Sequence, residues 1–337
     1  MALQRLHAAM LQPVSRRWPG MALCATVALA AGFIAALHGG PHLLYALLFG
    51  VCFHFLAEDE RTQPGIAFCS STVLRFGVAL LGARITLAQI AALGWGTVAV
   101  VVSAVASTVF AGLFIARRLG FTREQGVLSG GAVAICGASA ALALAAVLPR
   151  SREQERFTLV VVVCITTLST LAMLLYPTLA AALHLAPQRA ALFLGGTIHD
   201  VAQVTAAGTL MGAEVAEAAT LVKLCRVALL SVVAGLVSVS ALGRAQRTES
   251  GSLPLLPGYL QLFLLLVTLR SLGWLPTPAL QPLSVLSGLC LAVAIAALGV
   301  RTSLPALVEA GWRAVALLLL ESLWLAAWVL GFAMWMR

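Results

Sequence analysis

One stretch of the chain gathers groups able to bind or move an ion. Gly195-Gly196-Thr197-Ile198-His199-Asp200-Val201-Ala202-Gln203-Val204-Thr205 sets a histidine beside a carboxylate in an almost uncharged apolar run, with Arg189 and Glu214 the nearest other formal charges. A carboxylate within lipid costs roughly 2.5–3.5 kcal/mol on insertion scales, so it persists only where it faces protein or water, usually on an ion or substrate path. On a continuous helix Asp200 and Gln203, three residues apart, share a face, and His199 and Gln203 are four apart. Asp200 could carry a coupling proton, or bind sodium with Gln203 and nearby carbonyls. The plainer reading is a wetted loop in which Asp200 is an ordinary helix cap.

A second stretch, Gly126 to Ser139, concentrates glycine and small polar residues, among them Ser129, Gly130, Gly131, Cys136 and Gly137. Glycine weakens a helix and lets another backbone come close. One reading is a helix broken near Cys136, whose freed N–H groups and positive dipole end face an anion, with the Ser139 hydroxyl adding a donor. The other is a small-residue packing face, common in lipid spans.

Lys223 and Arg226 lie three residues apart inside the apolar run from Ala218 to Val239. Such a pair needs a counter-charge or an anionic ligand. Asp200 is the nearest carboxylate in sequence and could be a structural partner; snorkelling of Lys223 to the interface is the bland alternative. Arg75 and Glu321 are further isolated charges within apolar runs; Glu321 could pair with Arg75 or sit at a contact between two copies of the chain.

These residues are set in a chain that is 61% hydrophobic and 10% charged, where a soluble domain carries roughly 25% charged residues. The composition specifies an all-α polytopic membrane protein. The formal charge of +9 comes without a basic block or interleaved aromatics; it fits arginines in cytoplasmic loops facing anionic lipid rather than nucleic-acid binding. The seven cysteines follow no metal-ligand or disulfide spacing. Neither a metal nor a cofactor is expected, apart from coupling to H+ or Na+.

With about 20 apolar residues per crossing, spans are expected near 21–37, 42–57, 65–83, 95–116, 125–148, 157–183, 190–209, 216–242, 255–273, 280–300 and 312–335, eleven in all. Residues 1–20 form a cytoplasmic N-terminal segment, and 21–337 a single integral membrane domain with a half divide at 243–252. Arg5, Arg16, Arg17, Arg117, Arg118, Arg123, Arg244, Arg247, Arg301 and Arg313 then share the inside, while Arg150, Arg152 and Arg156 fall outside and disagree. That mismatch points again at an irregular 125–148 segment.

An internal echo runs at one constant offset. Leu81-Gly82-Ala83-Arg84 with Leu87 and Gly94-Trp95 returns as Leu298-Gly299-Val300-Arg301 with Leu304 and Gly311-Trp312. Seven expected spans separate the copies, and an odd number inverts them, as an inverted-topology repeat requires.

Four motifs resemble the YeiH-type family of bacterial inner-membrane proteins, to which sulfate export has been ascribed. They are Leu74-Arg75-Phe76-Gly77-Val78-Ala79-Leu80-Leu81-Gly82, Ile135-Cys136-Gly137-Ala138-Ser139-Ala140, Gly196-Thr197-Ile198-His199-Asp200-Val201-Ala202-Gln203-Val204, and Val222-Lys223-Leu224-Cys225-Arg226-Val227. The usual glutamate of that family is Asp200 here, which keeps the carboxylate and shortens its reach. The resemblance implies an inverted-repeat secondary transporter with crossing broken helices.

Residues and resemblance together lead to these expectations: a multi-pass transporter of the inner membrane, not an enzyme, exporting a small anion such as sulfate, without nucleic-acid partners and compatible with a homodimer. Ser129, Gly130, Cys136, Gly137, Ser139, Lys223 and Arg226 would bind the anion. His199, Asp200 and Gln203 would take the coupling ion. The alternatives are a cation/proton antiporter built on Asp200 and, more distantly, a membrane enzyme acting on a lipid-linked substrate.

Overall fold

The structure is a computed structural model. It describes residues 14–38, 42–149, 151–239, 258–302 and 310–335. Among these the chain is helical and packs as two compact units, Met1–Ala88 with Gly258–Thr302, and Gln89–Pro257 with Ser303–Arg337. The expected divide at 243–252 lies outside the described residues, as do Arg5, Arg150, Arg244, Arg247 and Leu304 of the echo.

The first unit holds α1 (Val14–His38), α2 (His42–Cys52), α3 (Gln63–Phe68) and α4 (Leu74–Leu81), then α5 (Leu87–Ala92), α13 (Gly258–Ser271) and α14 (Thr277–Arg301). Of α5, only Leu87 and Ala88 belong to this unit. The helix α1 starts within the segment expected to precede the membrane. A π-turn, Cys69–Val73, joins α3 to α4, so one continuous span runs over Gln63–Arg84. Two glycines at echoed positions act alike. A Cβ on Gly82 would collide with the Phe263 carbonyl of α13, and one on Gly299 with the Leu47 carbonyl of α2. Each span thus presses a glycine onto the short helix that precedes the other span. Arg301 donates to the Ser70 hydroxyl (2.8 Å), and Ser287 to the Gly77 carbonyl (2.7 Å).

The second unit holds α6 (Gly94–Arg118), α7 (Arg123–Ala134), α8 (Ala138–Val147), α9 (Arg152–Ala182), α10 (Pro187–Thr197), α11 (Val201–Thr209), α12 (Ala213–Val239) and α15 (Trp312–Trp335). Thr122 and Gln125 form a capping box that starts α7, and Ser151 caps α9. Leu128, Val133, Leu144, Ile165, Val222 and Leu317 belong to one buried core. Large apolar side chains such as Phe110, Phe114, Leu175 and Leu236 point outward, the distribution expected when the outer solvent is lipid.

Among the described residues, seven helices are long and apolar enough to cross a membrane: those at 16–38, 63–84, 94–118, 152–182, 213–237, 278–301 and 312–335. The other four expected spans are different objects. Two are the short helices α2 and α13, and two are broken pairs, α7 with α8 and α10 with α11. The second break was not expected on a helix carrying His199, Asp200 and Gln203 together. His199 and Asp200 lie in the break itself, and only Gln203 is helical.

Candidate functional site at the crossing of two broken helices

The two breaks have local causes. At the end of α7, Ile135 leaves helical geometry (φ −112°, ψ −86°), and Gly137 follows at φ +63°, ψ −124°. That conformation is one L side chains rarely adopt, and a Cβ there would lie 3.3 Å from the His199 Cβ. The Gly137 N–H closes the end of α7 by donating to the Ala132 carbonyl (2.8 Å). The smaller residues before the break do the other job foreseen for them. A Cβ on Gly112 of α6 would stand 2.7 Å from the Gly130 Cα, so Gly130 is a close-packing residue. Every residue of α7 from Gln125 to Ala134 is buried.

Where α10 ends, Ile198 and Asp200 are extended. Asp200 is the N-cap of α11 and accepts from the Ala202 N–H at 2.8 Å. Ser169 of α9 holds the turn: its hydroxyl oxygen accepts from the N–H groups of His199 (3.2 Å) and Asp200 (3.3 Å). Asp200 is therefore a cap, but of a half-helix inside the unit rather than of a wetted surface loop, and it is half-buried.

Helices that stop inside a protein leave carbonyl oxygens without partners and a negative dipole end. Lys223 and Arg226 of α12 satisfy both. Each is fully buried. Lys223 Nζ donates to the carbonyls of Ile135 and Ile198 (2.9 Å). Arg226 donates to Ala134 (2.7 and 3.0 Å), Val133 (3.0 Å), Gly195 (3.1 Å) and Ile198 (3.1 Å). These carbonyls are the last of α7 and of α10, so the two cations bind the two negative half-helix ends at one point. Arg226 is suited to this because its planar fork carries five N–H donors. Asp200 is not hydrogen-bonded to either cation, and neither side chain snorkels.

His199 ties the crossing to α15. Its Nδ1 lies 3.2 Å from the Val133 carbonyl, and its Nε2 lies 3.2 Å from the Ser322 hydroxyl. A carbonyl only accepts, so Nδ1 carries the proton. Gln203 donates Nε2 to Thr170 of α9 (2.9 Å), while its Oε1 is buried without a partner. On the preceding residue of α15, Glu321 accepts from Ser129 of α7 (2.8 Å). Glu321 is fully buried, which overturns the expectation that it sits at a contact between copies. Arg75 itself is exposed.

The structure thus gathers Cys136, Gly137, His199, Asp200, Lys223 and Arg226 at one crossing. Gln203 joins from α11, and Ser129 and Gly130 belong to the packing of α7 between one and two turns before the break. Ser139 is exposed and Ala138 half-buried, whereas Cys136 is buried and Lys223 and Arg226 are sealed. Sequence reasoning missed Ser169, Thr170 and Ser322. The hydroxyl run Thr166, Thr167, Ser169 and Thr170 inside an otherwise apolar span was the available signal.

Comparison with known proteins bears on the whole chain. The family model described as "Conserved hypothetical protein 698" matches residues 19–318. A UPF0324 membrane protein of Chlorobaculum tepidum is 47% identical over 325 residues, covering 95% of this chain and 90% of its own. The UPF0324 membrane protein TauZ of Paracoccus denitrificans is 46% identical over 319 residues, 94% of each chain. A UPF0324 membrane protein of Rhizobium meliloti is 45% identical over 316 residues, 93% of this chain and 91% of its own. No solved structure matches the chain. Helical multi-pass proteins of bacteria reside in the inner membrane, since the outer membrane is crossed by β-barrels. The chain belongs to the UPF0324 family of multi-pass membrane proteins, the YeiH-type family that its four motifs resemble.

Proposed function

We propose that the protein is a secondary transporter that passes a small anion, sulfate or a related oxyanion, at the crossing of its two broken helices. One observation carries this reading: the two half-helix starts are treated unequally. Asp200 caps α11 with a negative charge, whereas Gly137 gives α8 no side-chain cap, and the first residues of α8, Ala138 and Ser139, are accessible. An uncapped N-terminus offers N–H donors and a positive dipole end to an anion. The cations Lys223 and Arg226 outnumber the Asp200 carboxylate at the crossing and add a positive potential there. In this reading the anion meets Cys136, Gly137 and Ser139. Lys223 and Arg226 act on it through the field while their N–H groups hold the carbonyls, and Ser129 and Gly130 position α7. Asp200, with His199 and Gln203 beside it, takes the coupling ion.

The same reading has eleven crossings, in which each broken pair crosses as a unit, and an inverted repeat. The reciprocal glycine contacts of Gly82 and Gly299 support the repeat. A second reading, a cation/proton antiporter with Asp200 as the ion site, draws on the hydrogen bonds of Lys223 and Arg226, all of which go to carbonyls. A flux screen in proteoliposomes separates the two. Anion transport predicts sulfate movement, and antiport predicts exchange of a metal cation for protons with no movement of sulfate.

A further inference from the structure

Glu321 is the buried carboxylate that the crossing does not use. It lies in the middle of α15 with no exposed surface. Its Oε1 accepts from the Ser129 hydroxyl, and its Oε2 has no partner. Thr108 of α6 carries another orphaned buried oxygen. It lies one turn before Gly112, whose added Cβ would stand 2.7 Å from Glu321 Oε1. A carboxylate without a cation and with a bare oxygen is an expensive resident of a protein interior. Binding a proton removes the charge and turns Oε2 into a donor.

The place of Glu321 gives that proton consequences. Ser129 is one turn before Val133, whose carbonyl receives both Arg226 and the His199 ring. The next residue of α15, Ser322, holds the other nitrogen of His199. Adjacent residues of one helix therefore grip both broken helices: Glu321 holds α7, and Ser322 holds the turn between α10 and α11. The titratable groups inside the core on the elements packed against α15 are His199 and, on α9, Cys164 and Tyr176. The arginines and glutamates of those elements stand at helix ends, as Arg117, Glu124, Arg152 and Arg189 do. None of these is hydrogen-bonded to Glu321. Behind the crossing lie Lys223, Arg226, Asp200 and Cys136.

We infer that Glu321 is a proton-binding site linked to the anion site, so that proton and anion bind the protein together. With Glu321 ionised, the two cations of the second unit's core are balanced by two carboxylates, Asp200 and Glu321. With Glu321 protonated, one positive charge is uncompensated, and the core favours an anion. The linkage is reciprocal: the anion must raise proton affinity by the factor by which the proton raises anion affinity. This rests on the anion-transport reading, but the proton site can be tested without it.

The first experiment is an infrared pH titration of the purified full chain. A pH-sensitive protonated-carboxyl band is expected in the wild type, lost in Glu321→Gln, shifted in Glu321→Asp and retained in Asp200→Asn. A band unchanged by Glu321→Gln, or its absence from the wild type, overturns the proton site. Glu321→Gln keeps the shape and the acceptor for Ser129; should it fail to fold, the band shift in Glu321→Asp decides. The second experiment measures sulfate binding against pH. The wild type is expected to bind at least tenfold more tightly at acid than at alkaline pH, and Glu321→Gln to bind tightly at both. Equal pH dependence in the two proteins overturns the linkage. A wild type that binds no sulfate at any pH removes the anion reading and the linkage, and leaves the infrared result to decide the proton site alone.

Discussion

Lys223 and Arg226 share one acceptor: both donate to the carbonyl oxygen of Ile198, at 2.9 and 3.1 Å. Through it and the carbonyls of Val133, Ala134, Ile135 and Gly195, a pair on one helix stops two others from ending in unsatisfied backbone. The cations are structural before they are electrostatic, and removing them should be felt first in stability.

Arg226→Met leaves the Val133, Ala134 and Gly195 carbonyls without that donor. A buried acceptor left unpaired costs about 1–3 kcal/mol, and breaking a buried charged network about 3–5 kcal/mol. The variant should melt well below the wild type in detergent, and Arg226→Lys should recover only part of the loss. Lys223→Met, which removes bonds to two carbonyls, should cost less. A double Met variant as stable as the wild type contradicts the capping role.

Gly137→Ala places a side chain at φ +63° and against His199. Strained backbone of this kind costs about 1–3 kcal/mol, and the displaced turn would move the first N–H groups of α8. Thermal unfolding should fall by that amount while transport falls further. A variant with unaltered transport would show that the geometry of this turn is not used.

Asp200→Asn should leave stability within about 0.5 kcal/mol, because Asn and Asp are comparable N-caps, whereas Asp200→Ala should lose about 0.5–2 kcal/mol. The charge is what Asn lacks. Gradient-driven accumulation should therefore disappear in Asp200→Asn although the protein melts normally. Undiminished accumulation removes Asp200 from ion coupling.

How much of this was legible beforehand differs from one element to the next. The break at Gly137 could be read from a glycine-rich segment. The break at Ile198–Asp200 was legible only in part: the reading of Asp200 as a helix cap anticipated a helix start there, but Gly195, Gly196 and Thr197 are compatible with a helix that runs on. What ends α10 is tertiary, namely Ser169 of α9 holding the turn and two cations of α12 holding the carbonyls. The basic pair invited an anion or a carboxylate because sequence shows side chains and hides backbone acceptors. The partner of Glu321 was equally hidden, since Ser129 read as part of a glycine-rich stretch. The echo, by contrast, led to something visible in the fold: Gly82 and Gly299 make the same kind of close contact, and Gly94 and Gly311 both have positive φ before an exposed tryptophan.

Cysteine accessibility separates a watery mouth from a lipid-facing one. A charged thiol reagent should modify Ser139→Cys quickly and Cys136 slowly, and leave the buried Cys164 inert. Sulfate should slow the first two reactions. Ser139→Cys that reacts only with lipid-soluble reagents would place α8's start against the bilayer and remove the anion site there.

The central claim is that an anion passes the uncapped start of α8, and sulfate counterflow in proteoliposomes containing Ser139→Cys tests it most directly. Sulfate exchange should be measurable before modification, fall at least tenfold after a bulky charged thiol reagent is attached, and return when the adduct is reduced. No exchange of sulfate or a related oxyanion by the unmodified protein, or exchange untouched by the adduct, would contradict the account.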